Sequence, residues 1–215
     1  MIRLNRVSEG SLEDLSFEFS PGHTAKILLA SHDRKNELLA VLSGLRRPRA
    51  GSVFLLGEDL YALKEKERLR LFQRIGVVPE NGGMIGNLKA WENLVLPVWY
   101  HLGAITQETE RAALKLFRLL DLDESELQKR LAQLPDQLTL YEKRAVALVR
   151  AMLMEPDVIV YDFIFAGLGA AASSRIRQLT QEFHGGKDGR ISVHLCADDA
   201  VSASLPADHS IALTY

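Results

Sequence analysis

Apolar and polar positions change period several times along this chain, and each change marks an element. Ile2 to Val7 reads as a short strand, and Leu12 to Phe19 as a second, with Leu15, Phe17 and Phe19 alternating against Ser16 and Glu18. Pro21-Gly22 signals a turn into an apolar strand from Lys26 to Leu29. A polar loop, Ala30 to Glu37, then opens into an amphipathic helix carrying Leu38, Leu39, Val41, Leu42 and Leu45. After turns at Arg47-Pro48 and Ala50-Gly51 comes a strand from Ser52 to Leu56, closed by Gly57. Leu63 to Leu71 is a charged helix, and Ile75 to Val78 is a strand ending at Pro79.

Beyond Asn81-Gly82-Gly83 the pattern turns helical. Ala90 to Leu102, Gln107 to Leu120 and Ser125 to Leu134 space their apolar residues by three and four, until Pro135 breaks the run. Leu140 to Met154 is a long helix, and Val158 to Tyr161 an unbroken apolar strand ending at Asp162, as in a strand covered on both faces. Ser173 to Phe183 is a helix, Ile191 to Leu195 a strand, Asp199 to Ser204 a short helix, and Ser210 to Leu213 the last strand. Strands alternating with helices predict an α/β fold with a mostly parallel sheet. The block 82–136, all helix, reads as a helical subdomain inserted into a single domain spanning 1–215.

Composition narrows the chemistry. With 215 residues, 47% hydrophobic and 25% charged, the chain has the makings of a sizeable core. A net charge of -2 gives no electrostatic basis for nucleic-acid binding. Its one cysteine excludes an internal disulfide and a cysteine-based zinc site. No run approaches the roughly 18 apolar residues of a spanning helix, so the expectation is a cytoplasmic protein that meets the inner or plasma membrane only through a partner. With the last strand close to Tyr215, the expectation is that no further regulatory domain follows it.

The framework resembles the nucleotide-binding subunit of ABC transporters. Pro21-Gly22, the strand to Leu29, Lys35, Leu38-Leu39 and Gly44-Leu45 resemble that family's Walker A region. Gly51-Ser52-Val53, Gly57-Glu58-Asp59-Leu60 and Ile75-Gly76-Val77-Val78 resemble its next segments, and Ala145 to Asp162 its signature helix and Walker B strand. The resemblance implies a P-loop NTPase-like core with a mostly parallel sheet, an antiparallel β subdomain and the inserted helical subdomain. ATP and Mg²⁺ are the cofactors it implies.

The site residues depart from that pattern. Leu29, His32 and Arg34 stand where glycines would let backbone N–H groups turn toward phosphates. Asn36 replaces the hydroxyl that would hold Mg²⁺, and Glu37 adds negative charge. Lys35 is either the surviving phosphate lysine or a solvated side chain at a helix start. Glu80 replaces the Q-loop glutamine, and no aromatic follows the first strand to stack on adenine. The signature reads Leu138-Thr139-Leu140-Tyr141-Glu142, where Thr139 can still cap a helix. Asp162, the expected Mg²⁺ ligand, is followed by Phe163 where a general-base glutamate belongs, and Ala197 takes the switch-histidine position. His194 falls inside the strand and reads as a packed histidine. Losing the base alone costs roughly 10²–10⁴ in rate.

The segment from Asn81 through Met84, Ile85, Trp91 and Trp99 still looks family-like, where the family receives a coupling helix of its permease. Trp91 and Trp99, read as sharing a helix face, fit either partner contact or core. The finer likeness is to subunits of MCE-type lipid importers. Two functions follow. One is a non-hydrolysing structural or regulatory subunit docked on a transmembrane permease or an active sister subunit, with a dimer as in the family. The other is a divergent ATPase using His32, Arg34, Lys35 and Asp162 as a rebuilt phosphate site, with Glu80 as base. A binding module for another anion, drawn to the 32–35 cluster, is the third.

Overall fold

The alternating segments pair into two sheets in the computed structural model, which describes residues 1–122, 124–197 and 200–213. β1 (Ile2–Glu9), β2 (Leu12–Phe19), β4 (Ala50–Leu55) and β5 (Glu58–Asp59) form an antiparallel sheet in the order β2-β1-β4-β5. β3 (Thr24–Leu29), β6 (Ile75–Val78), β7 (Val158–Asp162), β8 (Ile191–Cys196) and β9 (His209–Leu213) form a parallel sheet in the order β6-β7-β8-β3-β9. All five residues of β7 and all six of β8 are buried, which accounts for their unbroken apolar runs.

Between the strands lie α1 (His32–Leu42), α2 (Glu65–Phe72), α3 (Ala90–Leu102), α4 (Gln107–Leu119), α5 (Glu124–Leu131), α6 (Leu140–Met152), α7 (Ala170–Gly185) and α8 (Ala200–Ala203). A 3-10 turn at Pro135–Gln137 separates α5 from α6. One core joins the antiparallel sheet and α1 to the parallel sheet through Leu4, Val53, Ile27, Leu38 and Val193. The other joins the parallel sheet to α3–α7 through Leu94, Phe117, Leu148, Ile159 and Ile176.

The boundaries expected from the pattern shift for local reasons. Gly57 does not close a strand: with Leu56 at φ 54° and Gly57 at φ 90°, it completes a two-residue hairpin that leads into β5. α2 starts two residues late, where Glu67 accepts from the Lys64 N–H at 3.1 Å. α7 starts three residues early, since Ala170–Ala172 are good helix formers. The expected helix start at Asp199 lies outside the described residues.

Candidate functional site

The C-terminal ends of β3 and β7 bring Lys35, Glu80 and Asp162 together, and the local reason begins at Ser31. Ser31 is extended (φ -146°, ψ 157°) and caps α1, its Oγ accepting from the Arg34 N–H at 3.3 Å. Of Ala30 to Glu37, expected as loop, only Ala30 and Ser31 lie outside α1. None of these residues adopts positive φ. Without glycine to hold that geometry, and with a serine cap and Asp33 in the first turn, the segment takes the helix instead. Leu29 finishes β3 at 3% exposure, while His32 and Arg34 sit in the first helical turn. No residue of this loop turns its N–H inward through positive φ, so the backbone offers an anion only the N-terminus of α1.

Lys35 is not solvated. It lies on the buried face of α1 with Leu38, Val41 and Leu42, at 4% exposure. Its ammonium stands 2.7 Å from Glu80 Oε2 and 3.1 Å from Asp162 Oδ1, 5.0 Å from the centre of the Phe163 ring. The expectation of a free helix-start lysine fails because the helix begins early and turns this position inward. Burial alone would lower the Lys35 pKa; hydrogen bonds to Glu80 and Asp162 outweigh it and hold the ammonium above its ordinary range. Burial would raise Glu80, yet the Lys35 hydrogen bond and charge hold its carboxyl below the usual value. The Glu80 N–H donates to Asp162 Oδ2 at 3.3 Å, so Asp162 bridges the loop after β6 to α1.

The other candidates join this cluster unevenly. His32 Nε2 lies 3.5 Å from Glu80 Oε1, with its ring edge-on to Phe163 at 5.3 Å. Arg34 turns away and donates to the Leu213 carbonyl at 3.3 Å. Asn36 is exposed at the rim of a shallow cleft shared with Lys35, Glu80, Asn81, Leu140 and Arg144. Phe163 is 5% exposed and held at φ 46°, unusual for a bulky residue, with its N–H on the Leu195 carbonyl at 3.1 Å. Ala197 follows β8 half-buried and packs against the first core. His194 lies within β8 at 3% exposure, stacked on Tyr161 at 4.5 Å.

Four side chains do much of the holding: Glu37, read from the sequence only as added negative charge, and Arg144, Asn93 and Arg150, which the pattern did not single out. Glu37 accepts from the Ser11 N–H at 2.8 Å and its hydroxyl at 2.7 Å, tying α1 to the β1–β2 turn. Its carboxylate occupies the space beside Gly10, where an added Cβ would lie 1.9 Å from Oε1. Arg144, at 2% exposure, donates to the carbonyls of Glu80, Ile164 and Ala166. Asn93, fully buried, accepts from the Ile85 N–H at 2.7 Å and donates to the carbonyls of Ile85, Leu88 and Lys89. Arg150 donates to the carbonyls of Gly82 and Gly83 at 2.7 and 2.9 Å. A signal existed: polar residues inside otherwise apolar helical faces, as in Arg144-Ala-Val-Ala-Leu-Val-Arg150.

The signature-like segment also satisfies itself. Thr139 caps α6, Glu142 accepts from the Thr139 N–H at 2.7 Å and its hydroxyl at 2.8 Å, and Arg130 pairs with Glu142 at 3.0 Å. The Tyr141 hydroxyl donates to the Leu120 carbonyl at 2.6 Å, binding α6 to the end of α4. In the loop after β6, Asn81 Oδ1 accepts from the Gly83 N–H at 3.0 Å; Asn81 and Ile85 are exposed and Met84 is half-buried. The two tryptophans do not share a face. Eight helical residues place them about 80° apart around the axis. Trp91 packs on the second core, whereas Trp99 is 58% exposed beside Tyr100 and Leu102.

A magnesium-bound nucleotide fits these residues poorly. Its cation would have to displace Lys35 from Asp162, and its phosphates would meet the side chains of His32 and Arg34 where glycines would let the backbone approach. Among the described residues, no group of three His, Cys, Asp or Glu side chains is placed to hold a metal ion.

Comparison with known proteins places similar chains in an ABC transporter family. The family described as "ABC transporter" matches residues 12–165. The lipoprotein-releasing system ATP-binding protein LolD of Pseudomonas syringae pv. tomato is 33% identical over 172 residues, covering 80% of this chain and 73% of that protein. The cell division ATP-binding protein FtsE of Escherichia coli (strain K12) is 28% identical over 193 residues, covering 86% and 83%. A dimeric bacterial ABC transporter cassette superposes with a TM-score of 0.83 at 22% identity, covering 100% of this chain and 95% of that one. A second dimeric cassette structure, bound to ADP and Pi, gives 0.79 at 24% identity.

Proposed function

Because this chain belongs to the ABC transporter family, as an ATP-binding-subunit-type cassette, we propose that it is a non-hydrolysing member that serves as a structural or regulatory subunit. The observation that carries this reading is the closed Lys35–Glu80–Asp162 cluster. In a working site these positions face nucleotide and Mg²⁺; here the Lys35 ammonium pairs with both carboxylates. Phe163 offers no lone pair to a water, and the Ala197 side chain no N–H donor to a γ-phosphate. Loss of base and oriented electrostatics removes roughly 10⁴-fold or more of rate, even allowing for non-additivity.

The same cluster gives the subunit a role. In this reading Glu80 fastens the segment 81–99 to α1 and β7 without nucleotide, so the presumed docking element is held in one position. Asn93 and Arg150 brace that segment from the helical side. Ile85 and Trp99 are the apolar contacts offered outward, with Asn81, Met84 and Trp91 behind or beside them. The partner is a transmembrane permease subunit or a sister cassette, and the chain sits on the cytoplasmic face of the membrane through it. No helix among the described residues is long and apolar enough to cross a membrane itself. The domain division of this reading is one cassette over 1–215 with a helical subdomain at 82–136. A lipid-linked cargo, MCE-type or other, is supported by the lipoprotein-releasing name of the LolD relative.

The test is purification from native membranes with a tag on this chain, followed by ATPase assay of the isolated subunit. A stoichiometric multi-span permease or a sister cassette, with no turnover above blank by the isolated chain, is expected. Turnover by the isolated chain that Asp162→Asn abolishes would reverse the reading.

A further inference from the structure

α5 carries only two apolar residues, Leu127 and Leu131, spaced four apart so that both fall on one face. That face turns inward, with Leu127 and Leu131 both buried. Against it come Phe117 from α4, Leu122 just beyond α4, Leu138 ahead of α6 and Val146 from the second turn of α6. Two leucines do not fill the angle between the neighbouring helices. A cavity of about 130 Å³ remains, and these six side chains form its apolar walls.

Three charged residues complete the lining, Glu126, Arg130 and Glu142, and each is committed. Lys129 donates to Glu126 Oε1 at 2.8 Å. Arg130 Nε pairs with Glu142 Oε1 at 3.0 Å, while Glu142 Oε2 accepts from the Thr139 N–H and hydroxyl. Among the described residues, none of the buried side-chain polar atoms left without a partner belongs to this lining. A water held inside needs about two to four polar partners, and no buried side-chain atom here is left unpaired for it. An engineered apolar cavity of about 150 Å³ with comparable walls, in another protein, stays dry and binds benzene.

The place of the cavity gives it a consequence. No residue of the Lys35 cluster or of the segment 81–99 lines it. Two of its walls, Leu138 and Glu142, belong instead to the signature-like segment at the start of α6. An occupant would touch α4, α5 and α6 at once, and would add dispersion contacts where the cavity leaves those walls bare.

We propose that this cavity binds a small uncharged hydrocarbon group of about six carbons, an aromatic ring or a short branched chain, and so braces the start of α6 against α4 and α5. The site stands on its lining alone, whichever way the nucleotide reading falls. The probes are benzene and mesitylene, the same ring with three added methyl groups, titrated into the full chain with leucine and valine methyls isotopically labelled. Saturable benzene shifts, largest at Leu122, Leu127, Leu131, Leu138 and Val146, are expected. Mesitylene, too large for the space, should bind at least ~10-fold more weakly (about 1.4 kcal/mol); a nonspecific apolar surface would favour it instead. No saturable benzene shift, or mesitylene binding as well as benzene, overturns the proposal. Val146→Phe puts a ring into the space and should abolish the response, so equal benzene affinity in that variant, folded, overturns it too. If that variant does not fold, the comparison of the two probes on the unaltered chain decides.

Discussion

The phosphate-loop region and the segment after β6 both depend on buried polar side chains, yet they use them in opposite ways. Around Lys35 the charged groups turn on one another: one ammonium lies between two carboxylates, beside a phenylalanine ring. Around Asn93 and Arg150 the buried groups reach toward backbone carbonyls and hold a loop whose tip, Ile85, is exposed. The first arrangement commits its charges to one another; the second presents a surface. On the reading proposed above, of the two tasks of such subunits, nucleotide binding and docking on a permease, this chain keeps the second.

Lys35→Met is the change that breaks the comparison most sharply. It leaves Glu80 and Asp162 facing each other across the loss of a buried partner, which costs about 3–4 kcal/mol of stability. Denaturant unfolding measures it; a lysine kept only for phosphate would show almost no change. The pH dependence follows the same cluster. Glu80 has a lowered folded pKa, so its contribution is present above its ordinary value of 4.5 and is lost as pH falls through the lower folded value. Lys35 has a raised one, so its contribution is present below 10.5 and is lost as pH rises through the higher folded value. The chain should therefore lose this stability at both extremes, and Lys35→Met should flatten both limbs.

Asn93→Ala attacks the other side. It strands the Ile85 N–H and removes the two N–H donors shared by the Ile85, Leu88 and Lys89 carbonyls, for about 2–3 kcal/mol at a fully buried position. Hydrogen exchange at residues 85–89 should speed up well before the parallel sheet is affected. Faster exchange throughout the sheet instead would mean that the loop is no separate unit.

Much of this contrast was legible in the sequence and part was not. The missing glycines, Phe163 after Asp162 and Ala197 after β8 are single positions in a fixed register, and each carries its chemistry in its residue type. The fold was legible for the same reason: β6 and α3 begin and end where their apolar spacing does. What the pattern could not give was the partner of each polar group. Lys35 looked solvated because helix starts ordinarily are; its burial depends on where Ser31 caps the helix. Trp91 and Trp99 looked equivalent until the turn of α3 sent one to the core and the other to solvent. Glu37 looked like repulsion at a phosphate site, and its Ser11 contacts come from a turn 26 residues away.

Glu37→Ala sharpens that last point. Losing its two bonds to Ser11 should cost about 1 kcal/mol, and nucleotide affinity should stay unchanged if the site is closed for the other reasons as well. Trp99→Ala should be the mildest in isolation, below about 0.5 kcal/mol for an exposed side chain. Its effect should appear only in the yield of co-purified membrane partner.

Isothermal titration of the purified chain with Mg-ATP tests the central claim most directly. The closed cluster predicts no saturable heat at up to about 1 mM nucleotide, where binding worth about 4 kcal/mol would register. A saturable isotherm in that range, abolished by Lys35→Met in a chain that remains folded, would contradict it.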